Sequence, residues 1–301
     1  MYKFPSHNQQ ILLDASKQKE LDENGYCIIP LLDKAMVEDF TQMYRSIHEI
    51  DSNGFFPSTY SNDRAYREKV SICLREKTAT LLSEHFIDYK VFTGNFIIKH
   101  QGKNTELGLH QDMTLVDESR YMGVNVWCPL CDIHEKNGAI WFLKGSNRLF
   151  PTYRGPTIPN IYDRFPEEIS ACMTPLYVKA GEAVVFDHSI LHFSPPNLSN
   201  EDRVAFNIFI SNKDATVLEC YYNKQQNEHQ VELLQQNDRF FIEYEQFDED
   251  KYERPRIGNS LGWTDYNFPS IDIKLLEEKY GYVPKKPFSK MISKFKALYT
   301  K

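Results

Sequence analysis

The segment "LGLHQDMTL", residues 107–115, places a histidine and an aspartate two positions apart in an apolar run typical of a β-strand. Side chains at positions i and i+2 of a strand point to the same face, so His110 and Asp112 converge on one small volume. An imidazole and a carboxylate placed in this way are suitable metal ligands. A lone His-x-Asp motif is common, however, and a metal site requires a third ligand.

The sequence around this segment is rich in short strands. From about residue 89 the chain contains runs such as "VFTGNFIIKH", "MGVNVWCPL", "EAVVF" and "VAFNIFI", separated by Gly, Pro, Asn and Asp. Many short strands with turn residues between them are typical of a sandwich or barrel. We therefore predict a mainly β fold with flanking helices, in the form of a double-stranded β-helix, the jelly roll of cupin-like proteins.

We predict a single domain over residues 1–301, since a chain of this length can bury one large core. Its N-terminal part is helical: Gly25 ends a first helix, Asp33 caps a second, and a third extends over residues 63–84. Two short helices are expected near the C-terminus, around "DIKLLEEKYG" and "SKMISKFKALY". The three parts are a helical part at about 1–88, a jelly-roll core at about 89–212 and an appended C-terminal layer at about 213–301.

Composition excludes several classes of partner. The formal net charge is −7, with 35 Lys plus Arg against 42 Asp plus Glu, so nucleic-acid binding is disfavoured. We find no signal peptide and no apolar window of membrane-spanning length, and we expect a soluble, cytoplasmic protein with a small-molecule substrate and no membrane partner. Its oligomeric state is unknown from the sequence. We expect the six cysteines to be reduced, and "CPLC" (residues 128–131) to hold buried structural thiols rather than a redox or zinc motif.

The third metal ligand is expected in "GEAVVFDHSILHFSPPNLSNEDRVAFNIFI", residues 181–210, which contains two histidines. His192 lies in the apolar run "ILHF", whereas His188 lies in the polar turn "DHS". We choose His192 as the ligand and assign His188 to a turn or to a position behind the ligands. Two histidines and one carboxylate on one face of a metal leave other positions open, as in non-haem iron(II) oxygenases.

The combined pattern resembles the phytanoyl-CoA dioxygenase family of iron(II)- and 2-oxoglutarate-dependent oxygenases. The resemblance rests on HQD at 110–112, "NGAIWFLKGSNR" at 137–148 and "GEAVVF…LHFSPPNLSNEDR" at 181–203, and "ENGYCIIPLLD" resembles the family's N-terminus. It implies a fold with iron(II) held by His110, Asp112 and His192, and with 2-oxoglutarate and dioxygen as co-substrates. One departure is Asn147, which stands where the family usually has a histidine.

The resemblance also implies a set of residues for 2-oxoglutarate. An arginine eleven residues after the second histidine pairs with the distal carboxylate, and Arg203 has that spacing. Period-2 alternation puts Arg203, Ala205 and Asn207 on one face, and a guanidinium matches a carboxylate bidentately. The other candidates for co-substrate contact are Ser194, Trp127, Asn197 and Lys99. Alternatives stay open: Trp127 as ordinary core, Asn197 as a turn residue, and Arg203 as a surface ion pair.

Candidates for substrate contact are less specific. The segment "FPTYRGPTIPNIYDRFP", residues 150–166, is too long for a tight turn and could form a lid over the site. Arg154 within it would meet an anionic group, although a solvated loop arginine is equally compatible with the sequence. The remaining substrate candidates are Thr114, Asn125 and Asn207.

The sequence thus predicts hydroxylation of an unactivated C–H bond of a small molecule, either an amino acid or a natural-product intermediate. An acyl-thioester α-hydroxylase is the alternative within the family, and a jelly-roll binding protein without activity is the alternative outside it. Related halogenases replace the metal-binding aspartate with a small residue, so the intact Asp112 favours hydroxylation over halogenation. Desaturation and ring formation remain open.

Overall fold

The computed structural model describes residues 9–48, 52–149, 152–244 and 252–284. Within those ranges the helices are α1 (Ala15–Asn24), α2 (Lys34–Ile47), α3 (Arg64–Ser83), α4 (Pro166–Ala171), α5 (Phe240–Glu243) and α6 (Ile273–Tyr280). The strands are β1 (Tyr26–Pro30), β2 (Phe55–Pro57), β3 (Tyr89–Lys99), β4 (Leu107–His110), β5 (Val124–Pro129), β6 (Ile140–Phe142), β7 (Thr174–Leu176), β8 (Glu182–Asp187), β9 (His192–Ser194), β10 (Arg203–Asn212), β11 (Leu218–Tyr221), β12 (Gln230–Gln235) and β13 (Asn259–Asp265).

Two antiparallel sheets form the centre of the molecule. The larger has the strand order β1-β8-β5-β10-β3-β2, and the smaller has the order β4-β9-β6-β7. They enclose an apolar core to which the larger sheet contributes Trp127 and Ala205, and the smaller sheet Ile140 and Phe142. This arrangement of many non-consecutive antiparallel strands confirms the predicted jelly-roll fold.

The two faces of the larger sheet have different tasks, and β10 shows this most clearly. Phe206 and Ile208 pack with Leu74 of α3 in a core between the sheet and the N-terminal helices. Arg203 and Asn207 point to the opposite face, into the space between the two sheets, as the alternation in the sequence predicts. The helices therefore cover one face of the larger sheet. The polar side chains of β10 lie on the other face, beside the apolar core between the two sheets.

The N-terminal helices begin and end at the residues that the sequence indicates. Asp33 accepts a hydrogen bond from a backbone N–H of the first turn of α2, and Asp63 does the same for α3. Gly25 ends α1 with φ of +82°, a conformation that costs glycine nothing. Among the described residues, no helix combines the length and apolar character needed to cross a bilayer.

The C-terminal layer contains a sheet that the sequence did not predict. Strands β11, β12 and β13 form a three-stranded antiparallel sheet. The sequence pattern was unclear because Glu219 and Glu232 are buried within this sheet, while none of the residues of β13 is buried. Of the two predicted C-terminal helices, the first is α6, and the second lies outside the described residues.

The cysteines are free. Cys128 is fully buried in β5, Cys131 is half-buried just after it, and burial raises the pKa of both thiols. A raised pKa keeps a thiol protonated and unreactive, which agrees with structural cysteines in "CPLC".

Candidate active site

The three predicted metal ligands meet at one end of the smaller sheet. His110 ends β4 and His192 begins β9, and the two residues are directly paired across these strands. The Nε2 atoms of His110 and His192 lie 3.7 Å and 4.0 Å from Oδ1 of Asp112. One ligand atom from each residue fits within a separation of 4.8 Å, a grouping that could hold a metal ion.

Both imidazoles are oriented by the main chain. Nδ1 of His110 hydrogen-bonds the carbonyl oxygen of Gly108 at 2.8 Å, and Nδ1 of His192 hydrogen-bonds that of Ile190 at 3.0 Å. A carbonyl can only accept, so each Nδ1 carries a proton, and in the neutral imidazole Nε2 is then the nitrogen that presents a lone pair towards Asp112. Burial and the neighbouring His110 lower the pKa of His192, which favours the neutral, metal-binding form.

The carboxylate of Asp112 is held from behind by two asparagines. Nδ2 of Asn125 donates to Oδ2 of Asp112 at 2.6 Å, and Nδ2 of Asn207 donates to Oδ1 of Asn125 at 2.7 Å. This chain leaves Oδ1 of Asp112 facing the histidines. The sequence assigned Asn125 and Asn207 to the substrate, whereas the structure places their amides behind the ligand group.

We expect Asn125→Ala to weaken metal binding without removing a ligand. The carboxylate of Asp112 would lose the hydrogen bond that fixes its rotation, and such changes behind a ligand cost about 10- to 100-fold in metal affinity. A titration with iron(II) or cobalt(II) under anaerobic conditions measures the loss. Asn259→Ala on the exposed strand β13 is the matched control, and equal affinities for both variants would show that the amide has no orienting role.

Arg154 is attached to the main chain of Asp112 rather than exposed to a ligand. Its Nε donates to the carbonyl oxygen of Asp112 at 2.6 Å, and its guanidinium forms a buried bidentate ion pair with Glu118. Thr114 completes the connection, because its hydroxyl accepts the backbone N–H of Arg154 at 3.0 Å. These contacts fix the segment that carries Asp112, and they leave Arg154 and Thr114 little capacity for a substrate. No sequence pattern indicated a role for Glu118, which lies in a polar-looking turn.

Lys99 and Arg203 form a buried pair of basic side chains near β9, the strand that begins with His192. They are direct cross-strand neighbours on β3 and β10, and none of the ion pairs among the described residues includes either one. Nη1 of Arg203 donates to the carbonyl oxygen of Gly138 at 2.7 Å, while its Nε has no hydrogen-bond partner. Burial lowers the pKa of Lys99 to about 6, with a further contribution from Arg203, and lowers that of Arg203 to about 10. We name this pair the two-cation pocket.

Two further predicted residues surround the two-cation pocket. Nζ of Lys99 donates to the hydroxyl of Ser194, which lies two residues after His192 on the same face of β9. The ring of Trp127 lies 5.2 Å from Cζ of Arg203, a distance suited to a cation–π contact. Metal ligands and cations thus share one space between the sheets.

Asn197 and His188 lie at the margin of the site. Nδ2 of Asn197 donates to the carbonyl oxygens of Lys99 and Glu201, which makes it a turn residue, one of the alternatives that the sequence left open. His188 is buried with its ring 4.5 Å from that of Phe209, and it does not join the ligand group. Its carbonyl oxygen accepts the backbone N–H of Asp112 at 2.9 Å.

A cavity of about 180 Å³ is lined in part by Arg154, whose Nε donates to the carbonyl oxygen of Asp112. One wall is formed by Gln111 and Met113, the neighbours of Asp112 in sequence, and the other by residues 152–156 and 158–161 of the predicted lid. The lid is described from residue 152 onward and is attached to the metal-binding segment through Thr114 and Arg154. The described part of this segment therefore packs against the residues on either side of Asp112, and its role as a lid stays a prediction.

Comparison with known proteins identifies the family. Residues 21–205, more than half of the chain, match the sequence model of the family "Phytanoyl-CoA dioxygenase (PhyH)". The chain belongs to the phytanoyl-CoA dioxygenase family. It is 31% identical over 133 residues to phytanoyl-CoA dioxygenase domain-containing protein 1 of Danio rerio, a match that covers 40% of this chain and 45% of that protein. It is 28% identical over 138 residues to phytanoyl-CoA dioxygenase 1 of Oryza sativa subsp. japonica, covering 45% and 48%. The chain thus matches about half the length of these relatives.

A solved structure with a similar fold is that of the non-haem alpha-ketoglutarate-dependent carbocyclase SnoK from nogalamycin biosynthesis. The two chains are 19% identical, with a TM-score of 0.51 over 68% of this chain and 86% of that chain. At this level of identity the likeness concerns the fold alone. It agrees with the jelly-roll arrangement of the two central sheets.

Proposed function

We propose that this protein is an iron(II)- and 2-oxoglutarate-dependent dioxygenase that hydroxylates an unactivated C–H bond of a small molecule. The observation that carries the proposal is the shared space between the sheets, where His110, Asp112 and His192 converge beside the two-cation pocket. Family membership supports the proposal, and the three metal ligands and the two-cation pocket occur together in one chain. A binding protein without activity would have no need for all of them.

The ligand group fits iron(II). Two neutral imidazoles and one carboxylate form the facial set that non-haem iron(II) enzymes use, with positions left open for co-substrates. The backbone contacts that orient Nε2 of His110 and of His192 are those expected of metal-binding histidines. Oδ1 of Asp112 lies near both Nε2 atoms, so all three residues would bind the metal through atoms that already face one another.

The two-cation pocket fits the distal carboxylate of 2-oxoglutarate. Arg203 is buried with one unpartnered N–H, and burying a cation without a counter-charge is costly unless an anion is bound there. Burial and Arg203 lower the pKa of Lys99 to about 6, so a bound carboxylate would be needed to favour its protonated form and to make it a second positive charge. A dicarboxylate would therefore be recognised by charge at one end and by the metal at the other.

Each protein group has a distinct task in this proposal. When bound, iron(II) and 2-oxoglutarate supply the oxidising chemistry, in which dioxygen is consumed, 2-oxoglutarate is decarboxylated to succinate and a C–H bond becomes C–OH. Arg203, Lys99 and Ser194 would hold the co-substrate, and Trp127 would shield its carboxylate from water. Asn125 and Arg154 would keep Asp112 in place, and the lid would cover the substrate.

The proposal is tested by succinate formation. Protein loaded anaerobically with iron(II) and 2-oxoglutarate should release succinate after a pulse of oxygen, and more of it when a true substrate is present. The variant Asp112→Ala should release none, because the carboxylate ligand is missing. If the parent protein binds 2-oxoglutarate but forms no more succinate than Asp112→Ala, it is a binding protein and the oxygenase proposal fails.

A further inference from the structure

The size and polarity of the cavity beside Asp112 limit the kind of substrate group that can enter it. Resting on the proposed function, we infer that the part of the substrate that enters this cavity is uncharged and offers a hydrogen-bond donor. At about 180 Å³ the cavity is smaller than the roughly 300 to 1,000 Å³ usual for whole ligands, so it takes a small molecule or one end of a larger one. This inference narrows the chemical class of the group that enters the cavity.

The charge of the cavity wall is the first argument. Among the described lining residues, Arg154 is the one that carries a charge. Its guanidinium is neutralised by the buried carboxylate of Glu118 and also donates to the carbonyl oxygens of Asp112 and Thr152. A carboxylate or ammonium group entering the cavity would lose its hydration and gain no opposite charge, which is strongly unfavourable.

The polar groups of the wall are the second argument. Gln111 uses its amide nitrogen to donate to the carbonyl oxygen of Ser189, and Asn160 uses its own to donate to Asp163. The side-chain oxygens of Gln111 and Asn160 accept no hydrogen bond from a described residue, so each can accept one from a ligand. Met113 and Ile158 provide apolar surface between them. The wall therefore suits an apolar skeleton that carries a hydroxyl or amide group.

Three probes share one ring and carry a neutral, an anionic or a cationic polar group: cyclohexanecarboxamide, cyclohexanecarboxylate and cyclohexylmethylammonium. Each is titrated at neutral pH into the full chain loaded with iron(II) and 2-oxoglutarate without oxygen, and binding is followed by calorimetry or ligand-observed NMR. We expect the carboxamide to bind at least about tenfold more tightly than either ion. Equal or tighter binding of an ion, or no binding of the carboxamide, would overturn the inference.

Two variants locate the binding. Met113→Trp fills the cavity and should abolish carboxamide binding, and unchanged binding would place the probe elsewhere and overturn the inference. Glu118→Gln leaves the charge of Arg154 uncompensated and should raise the affinity for the carboxylate about tenfold or more. Glu76→Gln on the exposed face of α3 is the matched control and should change nothing. If Glu118→Gln does not fold, as judged by circular dichroism, the inference is tested by Met113→Trp and by the relative affinities of the three probes.

Failure of this inference and failure of the proposed function give different results. Binding of the carboxamide does not require turnover, so a protein that selects the uncharged probe but never forms succinate keeps the cavity assignment and loses the oxygenase assignment. Conversely, succinate formation stimulated by a free amino acid, together with tight binding of charged probes, would keep the oxygenase and reject the uncharged substrate.

Discussion

Replacing His192 by alanine should abolish iron(II) binding and, with it, the weak visible absorption band that 2-oxoglutarate gives when it chelates iron(II). The reason is that the buried imidazole of His192 is one of three ligands, and no fourth described residue belongs to the group that could take its place beside Asp112. We expect His110→Ala to have the same effect. The measurement is an anaerobic titration of iron(II) in the presence of 2-oxoglutarate, followed by absorption spectroscopy.

His188→Ala is the matched control for this prediction. His188 lies four residues before His192, is equally buried, and packs against Phe209. Its ring nitrogens have no hydrogen-bond partner, and burial lowers its pKa to about 4, as expected of a neutral packing residue. The variant should keep the band, with some loss of thermal stability from the cavity left behind. Loss of the band in His188→Ala and its retention in His192→Ala would contradict the ligand assignment.

The sequence was sufficient for the fold and for the ligand group because both depend on local regularities. Period-2 alternation with turn residues indicates short strands, and it also fixes which side chains share a face. That rule placed His110 and Asp112 on one strand, whereas β4 ends at His110 and Asp112 lies in the irregular segment that follows, where the two side chains still converge. His192 was separated from His188 by the apolar character of its neighbours, although both histidines are buried. Features of single segments therefore indicated the ligands without knowledge of how the strands pair.

The roles of Asn125 and Arg154 could not be predicted, because they depend on how separate segments pair. Alternation put Asn125 on the face of Trp127, which was correct, but the contact with Asp112 depends on the path of the chain after β4. For Arg154 the sequence left open contact with an anionic group or a solvated loop position, and the structure instead pairs it with Glu118, 36 residues away. A buried carboxylate that neutralises a distant arginine does not change the periodic pattern of apolar residues. The net charge of the cavity wall could therefore be determined only from the structure.

The C-terminal sheet shows a different limit of sequence analysis. Its strand β12 carries the buried Glu232, whose carboxylate pairs with Arg254 and accepts from the hydroxyl of Ser260. A charged residue at a buried strand position interrupts the alternation of apolar and polar residues on which strand prediction relies. The ion pair that makes this burial acceptable is formed by a residue 22 positions away, and it becomes apparent only after folding.

Replacing Arg203 by alanine should weaken 2-oxoglutarate binding by about 2 to 4 kcal/mol, because the co-substrate carboxylate would then be buried without its charged, bidentate partner. Iron(II) binding should persist, since the ligands are on or next to β4 and β9. Arg203→Lys should recover only part of the loss, because an ammonium cannot reproduce the planar pair of donors. The measurement is a titration of 2-oxoglutarate into the iron(II) form of each variant.

Thermal stability separates this role from a structural one. Arg203 is buried, forms no ion pair with a described residue and leaves its Nε unpartnered, so its charge costs the folded state free energy when no anion is bound. Arg203→Ala should therefore melt close to the parent without 2-oxoglutarate, and should lose most of the stabilisation that added 2-oxoglutarate gives the parent. Arg120→Ala, at an exposed position, is the control. A variant Arg203→Ala that melts far below the parent yet binds 2-oxoglutarate with unchanged affinity would make Arg203 a structural residue and remove the co-substrate assignment.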